Sequence, residues 1–388
     1  MMPGGASAFW NNPTFRGWFW QIVTVVVIVT IGAVLVHNTI VNLQRQSIAT
    51  GLSFLGRESG FEISESLIDY SATSTYARAF LVGVLNTVEV AVAGIILSTI
   101  LGILLGIARL SPNWLLSRLA LCYVELIRNI PLLLQLLLIY SILNTLAPAP
   151  RQAWKLLPDL YLTNRGLFLP IPMHHPSHVP MLAALLLGIA GAFVMQRWAR
   201  KRQDRTGQGF PTLAATAGLV IGLPLLVWLG FGAPLALSVP VLTGFNFTGG
   251  TSVSPELTAL LAGLVIYTTA YIGEIVRSGI QAVSHGQTEA ASALGLKRGL
   301  MLRLVVLPQA VRIIVPPLTS QFLNLTKNST LAVAIGFPDF VSVVNTQMNQ
   351  TGQAIEGMAA IMGFYLAISL AISLAMNIYN ARIALKSR

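Results

Sequence analysis

Apolar runs of about twenty residues recur along the chain, and this recurrence limits its fold more than any other feature. A bilayer's hydrocarbon core is roughly 30 Å thick, so a helix needs about 20 apolar residues to cross it. Runs of that kind cover approximately 18–36, 79–108, 118–147, 180–198, 210–231, 257–278, 310–336 and 358–380. They predict an all-α fold, a polytopic transmembrane helical bundle of about eight spans. Composition agrees: only 10% of the residues are charged, against roughly 25% in a soluble protein. The first run opens on an aromatic cluster, Phe15, Trp18, Phe19 and Trp20, that suits a membrane interface. It is also longer than the apolar core of about 7–15 residues in a secretory signal, so a retained first transmembrane helix is expected.

The net charge of +11 is distributed as a membrane protein distributes it. Basic residues gather at the ends of apolar runs, most densely as Arg197, Arg200, Lys201, Arg202 and Arg205 with only Asp204 opposing. Excess Lys and Arg mark cytoplasmic turns. Eight spans then place both termini in the cytoplasm, the last followed by Arg382, Lys386 and Arg388. The segment 37–78, with Glu58, Glu62, Glu65 and Asp69 against Arg45, Arg57 and Arg78, is expected as an external loop. Residues 148–179 carry six prolines and no spanning run, and are expected as a second external loop despite Arg151, Lys155 and Arg165. A third, 232–254, is nearly uncharged.

No basic stripe is interleaved with aromatics, so nucleic acid is not an expected partner. Cys122 is the only cysteine, which rules out an intrachain disulfide. His174, His175 and His178 lie in a proline-rich segment with no helical ligand spacing, and no metal site is expected.

Residues 289–311, EAASALGLKRGLMLRLVVLPQAV, interrupt the apolar pattern between two spans. A short helix starting near Gln287 is expected to stop at Gly295, because glycine commonly closes helices in the left-handed conformation. A second helix is expected from about Lys297, interrupted at Pro308, which has no amide proton. Small alanines on a short exposed helix let another protein approach closely, and the bend at Gly295 leads directly into a membrane helix. Such a segment is shaped to couple an external movement to the bundle.

The order Glu289-Ala290-Ala291, Gly295, Val305, Leu307-Pro308 resembles the EAA loop of ATP-binding-cassette importer permeases, with valine at 305 where isoleucine is usual. IRNIPLLLQLLLIYSIL (127–143), AYIGEIVRSGIQAVSHGQ (270–287) and PQAVRIIVPPLTSQFLNLTKNSTLA (308–332) resemble the polar-amino-acid branch of that family. The chain departs from it by an insertion of about a hundred residues after the first of these blocks. With TNRG (163–166) and GFNFTGG (244–250), that insertion looks like the Q-type subunit of the general L-amino-acid permeases. The resemblance implies a type I ABC importer permease core. It divides the chain into an N-terminal tail, first helix and external loop (1–78), core helices (79–147), an insert with two extra helices (148–256) and core helices with the coupling loop (257–388).

The resemblance further implies an inner (plasma) membrane subunit of a bacterial importer for L-amino acids. Its implied partners are a second permease subunit, a cytoplasmic ABC ATPase dimer and a periplasmic solute-binding protein. Glu289, Ala290, Ala291, Ala293, Leu294 and Gly295 would receive the ATPase. No G-x-x-x-x-G-K-[ST] pattern occurs in the chain, so ATP and magnesium would be held by the partner ATPase and no cofactor by this chain.

Charges inside spans usually face a partner or a cavity. Glu125 and Arg128, and Glu274 and Arg277, stand three residues apart and can pair on one helix face. Glu89, Asn324, Lys327 and Asn328 are candidates for a substrate pathway, the last three on a helix that Pro316 and Pro317 should kink. Interhelical hydrogen bonding, or a lysine reaching the external interface, is the alternative and simpler explanation of them. An ion-coupled or passive transporter would share the spans and the charges, though not the EAA segment. A membrane-embedded enzyme would need a catalytic constellation, and neither HExxH nor GxSxG is found.

Overall fold

The computed structural model describes residues 12–45, 50–173, 175–233 and 236–383. Among them, seven helices are long and apolar enough to cross a membrane, or eight if one bent pair counts as a span. His174, Lys386 and Arg388 lie outside the described residues.

By their contacts the residues form two compact units, Met1–Leu137 with Leu260–Arg388, and Leu138–Ala259. In the first, α1 (Pro13–Arg45) buries none of its apolar window. α2 (Tyr76–Arg109) starts at a Thr75 cap, whose hydroxyl accepts from the Arg78 amide at 3.3 Å. The preceding segment and the first residue of α2 bond to distant residues: the Gly51 amide donates to Glu356, and Tyr76 Oη donates to Gln350, both at 2.7 Å.

The helix expected over 118–147 is instead two, α3 (Trp114–Asn129) and α4 (Leu132–Thr145), bent by 104°. Pro131 has no amide proton to donate to the Ile127 carbonyl, as a continuous helix would require. Gln135 supplies the missing donor, its Nε2 lying 2.8 Å from the Ile127 oxygen and 2.9 Å from the Ile130 oxygen. A Gln135→Leu variant leaves both carbonyls without this donor, at a cost of about 2 kcal/mol. Its melting temperature in detergent is expected several degrees below that of the unsubstituted protein.

The second unit holds α5 (His178–Thr206) and α6 (Thr212–Gly230). They approach closely at Gly188, where a Cβ would collide with the Leu219 carbonyl. The segments expected as loops at 148–179 and 232–254 contain short antiparallel strands. β1 (Trp154–Leu157), β2 (Leu160–Thr163), β3 (Gly166–Leu169) and β8 (Thr251–Val253) form a four-stranded sheet in that order. β4 (Ile171–Pro172) pairs with β5 (Leu237–Ser238), and β6 (Val241–Thr243) with β7 (Asn246–Thr248). Pro158 and Pro170 fall between strands, where no ladder amide is needed. Phe247 joins the hairpins by packing on Tyr161 and Phe168, with ring centroids 4.8 and 4.9 Å away.

The chain continues through α7 (Pro255–Gln281), which belongs to the first unit from Leu260 onward, then α8 (His285–Ala293) and a long helical run, α9 (Arg298–Ile335). The expected interruption at Pro308 is absent. A π-helical stretch, Leu302–Val306, precedes the proline, and its wider hydrogen-bond spacing accommodates the missing donor without ending the helix. Pro316 and Pro317 likewise sit inside the continuous α-helical part, Leu307–Asn328.

α10 (Phe340–Thr351) is a helix that the apolar pattern does not announce. At 12 residues it extends about 18 Å, too short to span. Asp339 caps it, accepting from the Ser342 amide at 2.8 Å, and burial pushes the Asp339 carboxyl up to about 7. Gly352, left-handed at φ 74°, closes it before α11 (Ala354–Ile383).

Candidate functional site

Two features of the first unit have the geometry of working parts. The first is α8. Its C-terminus is a complete Schellman closure: the Gly295 amide donates to the Ser292 carbonyl at 2.9 Å, and the Leu296 amide to the Ala291 carbonyl at 3.2 Å. The closure requires Gly295 in the left-handed region, φ 73°. Ala291 is buried and anchors the helix, while Glu289, Ala290, Ala293, Leu294 and Gly295 are exposed. Leu294 is 81% exposed, a large apolar side chain at the tip of a polar helix. Glu289 pairs along the helix with His285 at 2.9 Å.

The second is a polar cleft of about 300 Å³ between α7 and α9. α7 contributes Tyr267, Thr268 and Tyr271, and α9 contributes Gln321, Asn324 and Asn328. The two tyrosine hydroxyls stand 3.1 Å apart, one helical turn from each other. The Arg128 guanidinium lies over the Tyr271 ring, 5.1 Å from its centroid. α3 is fastened beside them by Tyr123, whose hydroxyl donates to the Ile266 carbonyl at 2.8 Å.

The cleft therefore brings two of the four pathway candidates together, Asn324 and Asn328. Lys327 is exposed on the same helix but does not line the cleft. Glu89 is half-buried on α2 and lies outside it. Of the two expected ion pairs, Glu274–Arg277 forms, with Arg277 Nε 3.0 Å from Glu274 Oε2, and Arg109 of α2 joins it. Among the described residues no Glu125–Arg128 ion pair forms; Arg128 turns to Tyr271 instead. No group of three His, Cys, Asp or Glu side chains is placed to hold a metal among the described residues.

Residues 184–385 match the family described as "Binding-protein-dependent transport system inner membrane component". The chain belongs to that family. This permease is also 50% identical to the general L-amino acid transport system permease protein AapQ of Rhizobium johnstonii, over 97% of its own length and 94% of the relative's. It is 49% identical to the putative amino-acid ABC transporter permease protein YhdX of Escherichia coli, over 97% and 96%. A third relative is the glutamate/glutamine/aspartate/asparagine transport system permease protein BztB of Rhodobacter capsulatus, 41% identical over 96% and 95%. The permease is a multi-pass inner-membrane transport component and not an enzyme.

The family match includes α8 and every residue that lines the cleft; Arg128, beside the cleft on α3, lies outside the match. Charge and amide content single out Asn324 and Asn328 in the sequence, while the structure adds Tyr267, Tyr271 and Gln321. The available signal was spacing: tyrosines at 267 and 271 share a helix face, as i and i+4 residues do.

Proposed function

We propose that this permease carries L-amino acids into the cytoplasm as the membrane subunit of an ATP-driven importer. It would act with a second permease subunit, a cytoplasmic ABC ATPase dimer and a periplasmic solute-binding protein. ATP and magnesium belong to the ATPase in this reading, and both termini of the permease face the cytoplasm. The observation that carries the reading is α8, a nine-residue helix with a fixed C-terminal closure that presents Ala290, Ala293 and Leu294 outward. Small side chains beside one exposed leucine form a surface that a concave socket on an ATPase can grip. The names of the relatives support the substrate class.

The cleft supplies contacts suited to a zwitterion. The carboxamides of Gln321, Asn324 and Asn328 offer acceptors to an ammonium group and donors to a carboxylate. Arg128 beside Tyr271, and Lys327 exposed one turn beyond Asn324, provide the positive charge a carboxylate needs. Alternating access follows if ATPase closure displaces α8 and thereby reorients α7 and α9 around the cleft.

Affinity purification of the permease from its native membrane tests the docking. An ATP-hydrolysing subunit is expected to accompany it and to be lost from a Leu294→Asp variant that still inserts. A permease that purifies without any ATPase and transports alone would instead be an ion-coupled or passive transporter.

A further inference from the structure

We infer that Arg109 and Glu274 form a transmission link that passes coupling-helix movement from α7 into α2, while Arg277 pairs with Glu274 within α7. The inference rests on the importer reading above. Glu274 lies two turns before the end of α7 and accepts from Arg109, the last residue of α2, and from Arg277. Arg277 also donates to Gln281, the residue that ends α7, four positions before α8 begins at His285. The three side chains are 12%, 23% and 25% exposed, so the surrounding salt solution screens them weakly.

The helices that this bridge joins are packed backbone to backbone. Gly102 and Gly106 of α2 face Ile272, Gly273 and Val276 of α7. A Cβ at position 106 would lie 2.7 Å from the Val276 Cβ and 2.8 Å from the Gly273 carbonyl oxygen. Small residues four apart permit this approach, as in other membrane helix pairs. Glycine contacts run along the seam, and the ion bridge ties α7 to α2 at its end.

The far end of α2 is fastened to a different part of the molecule. Asn86 Nδ2 donates to the Pro338 carbonyl, and the Phe340 amide donates to Thr87 Oγ1, each at 3.0 Å. Asn86 and Thr87 are fully buried there, and the Gly83 position leaves no room for a Cβ against Phe340. The 34 residues of α2 make a rod about 50 Å long. It runs from the α8 side to the turn that starts α10. Movement of α8 thus reaches Pro338–Phe340 along α2, and the bridge is where the movement enters that helix. Arg109 and Glu274 are positioning residues for transport.

The structure provides its own control. Arg109→Gln removes the bridge between helices and leaves the pair within α7. Arg277→Gln removes the pair within α7 and leaves the bridge. Each variant takes one guanidinium from Glu274, so a merely stabilising cluster gives two similar phenotypes, whereas a transmission link gives different ones. The assay is the amount of ATP hydrolysed per amino acid taken up by proteoliposomes holding the whole transporter and its binding protein, with a radiolabelled L-amino acid mixture. Arg109→Gln is expected to raise that ratio at least about fivefold, the lower end of typical coupling between sites, with Arg277→Gln close to the unsubstituted transporter. Equal ratios in the two variants overturn the link. If Arg109→Gln does not assemble, the exchange Arg109→Glu with Glu274→Arg takes its place. A ratio near that of the unsubstituted transporter then supports the link, and an assembled but uncoupled exchange variant overturns it. Unsubstituted transporter whose uptake ignores ATP overturns the importer reading and this inference with it. ATP-dependent uptake with equal ratios overturns only the inference.

Discussion

Replacing Gly295 with valine is expected to lower uptake by about tenfold or more while membrane insertion and accumulation stay normal. Gly295 holds φ 73°, a region a β-branched residue enters only as an outlier. A Cβ there would meet nothing within 4 Å, so the substitution acts through backbone conformation alone and disturbs no packing. The left-handed conformation costs an ordinary L-residue about 1–2 kcal/mol. Abandoning it breaks the bonds from Gly295 to Ser292 and from Leu296 to Ala291. In the first case the native angle of α8 is strained and in the second it is lost, and about 1.4 kcal/mol of lost coupling is already a tenfold effect. Gly295→Asn is the matching control, because asparagine tolerates the left-handed region; it should keep most of the uptake. Uptake and membrane content measured together decide the matter. Normal uptake by the valine variant would remove α8 from the coupling route.

The second large effect is expected at the cleft. Asn328→Leu removes a carboxamide from a polar space of about 300 Å³ and fills part of it with an isobutyl group. Hydrogen bonds to charged groups contribute about 1.5–3 kcal/mol, so uptake at limiting substrate should fall by about tenfold to a hundredfold. ATP hydrolysis without substrate should be unaffected, because Asn328 lies on α9 and takes no part in α8 or its closure. Lys327→Met, a change outside the cleft lining, should lower uptake less, through the loss of an attracting charge alone. A leucine variant with unchanged uptake would show that the amino acid passes elsewhere.

The spans were legible because crossing a bilayer demands length and apolarity, and both are visible residue by residue. The end of α8 was legible for a similar reason: Gly295 is a residue type that a Schellman closure requires. The bend between α3 and α4 was not, since Pro131 inside a long apolar run can be bridged, kinked or turned. What decides the outcome is the reach of Gln135 to two freed carbonyls, a three-dimensional fact. Pro308 taught the opposite lesson, because a π-helical stretch absorbed it. The strands near Phe168 and Phe247 were hidden by a proline count that ignored where the prolines fell. α10 was hidden because its signals, the Asp339 cap and the Gly352 closure, are local while its burial against α2 is not. The cleft was half visible: the amides of α9 stand out in a spanning helix, but the tyrosines opposite them look like ordinary apolar bulk until α7 is set in place.

In the proposed mechanism this permease moves amino acids only when an ATPase drives it through α8. The direct test is uptake of radiolabelled L-amino acids into proteoliposomes containing the permease with its co-purifying subunits, with and without ATP on the ATPase side. The expected result is uptake that requires both ATP and the solute-binding protein and that is suppressed by competition from unlabelled L-amino acids. Uptake of the same size without ATP would contradict it and leave an ion-coupled or passive transporter as the description of this chain.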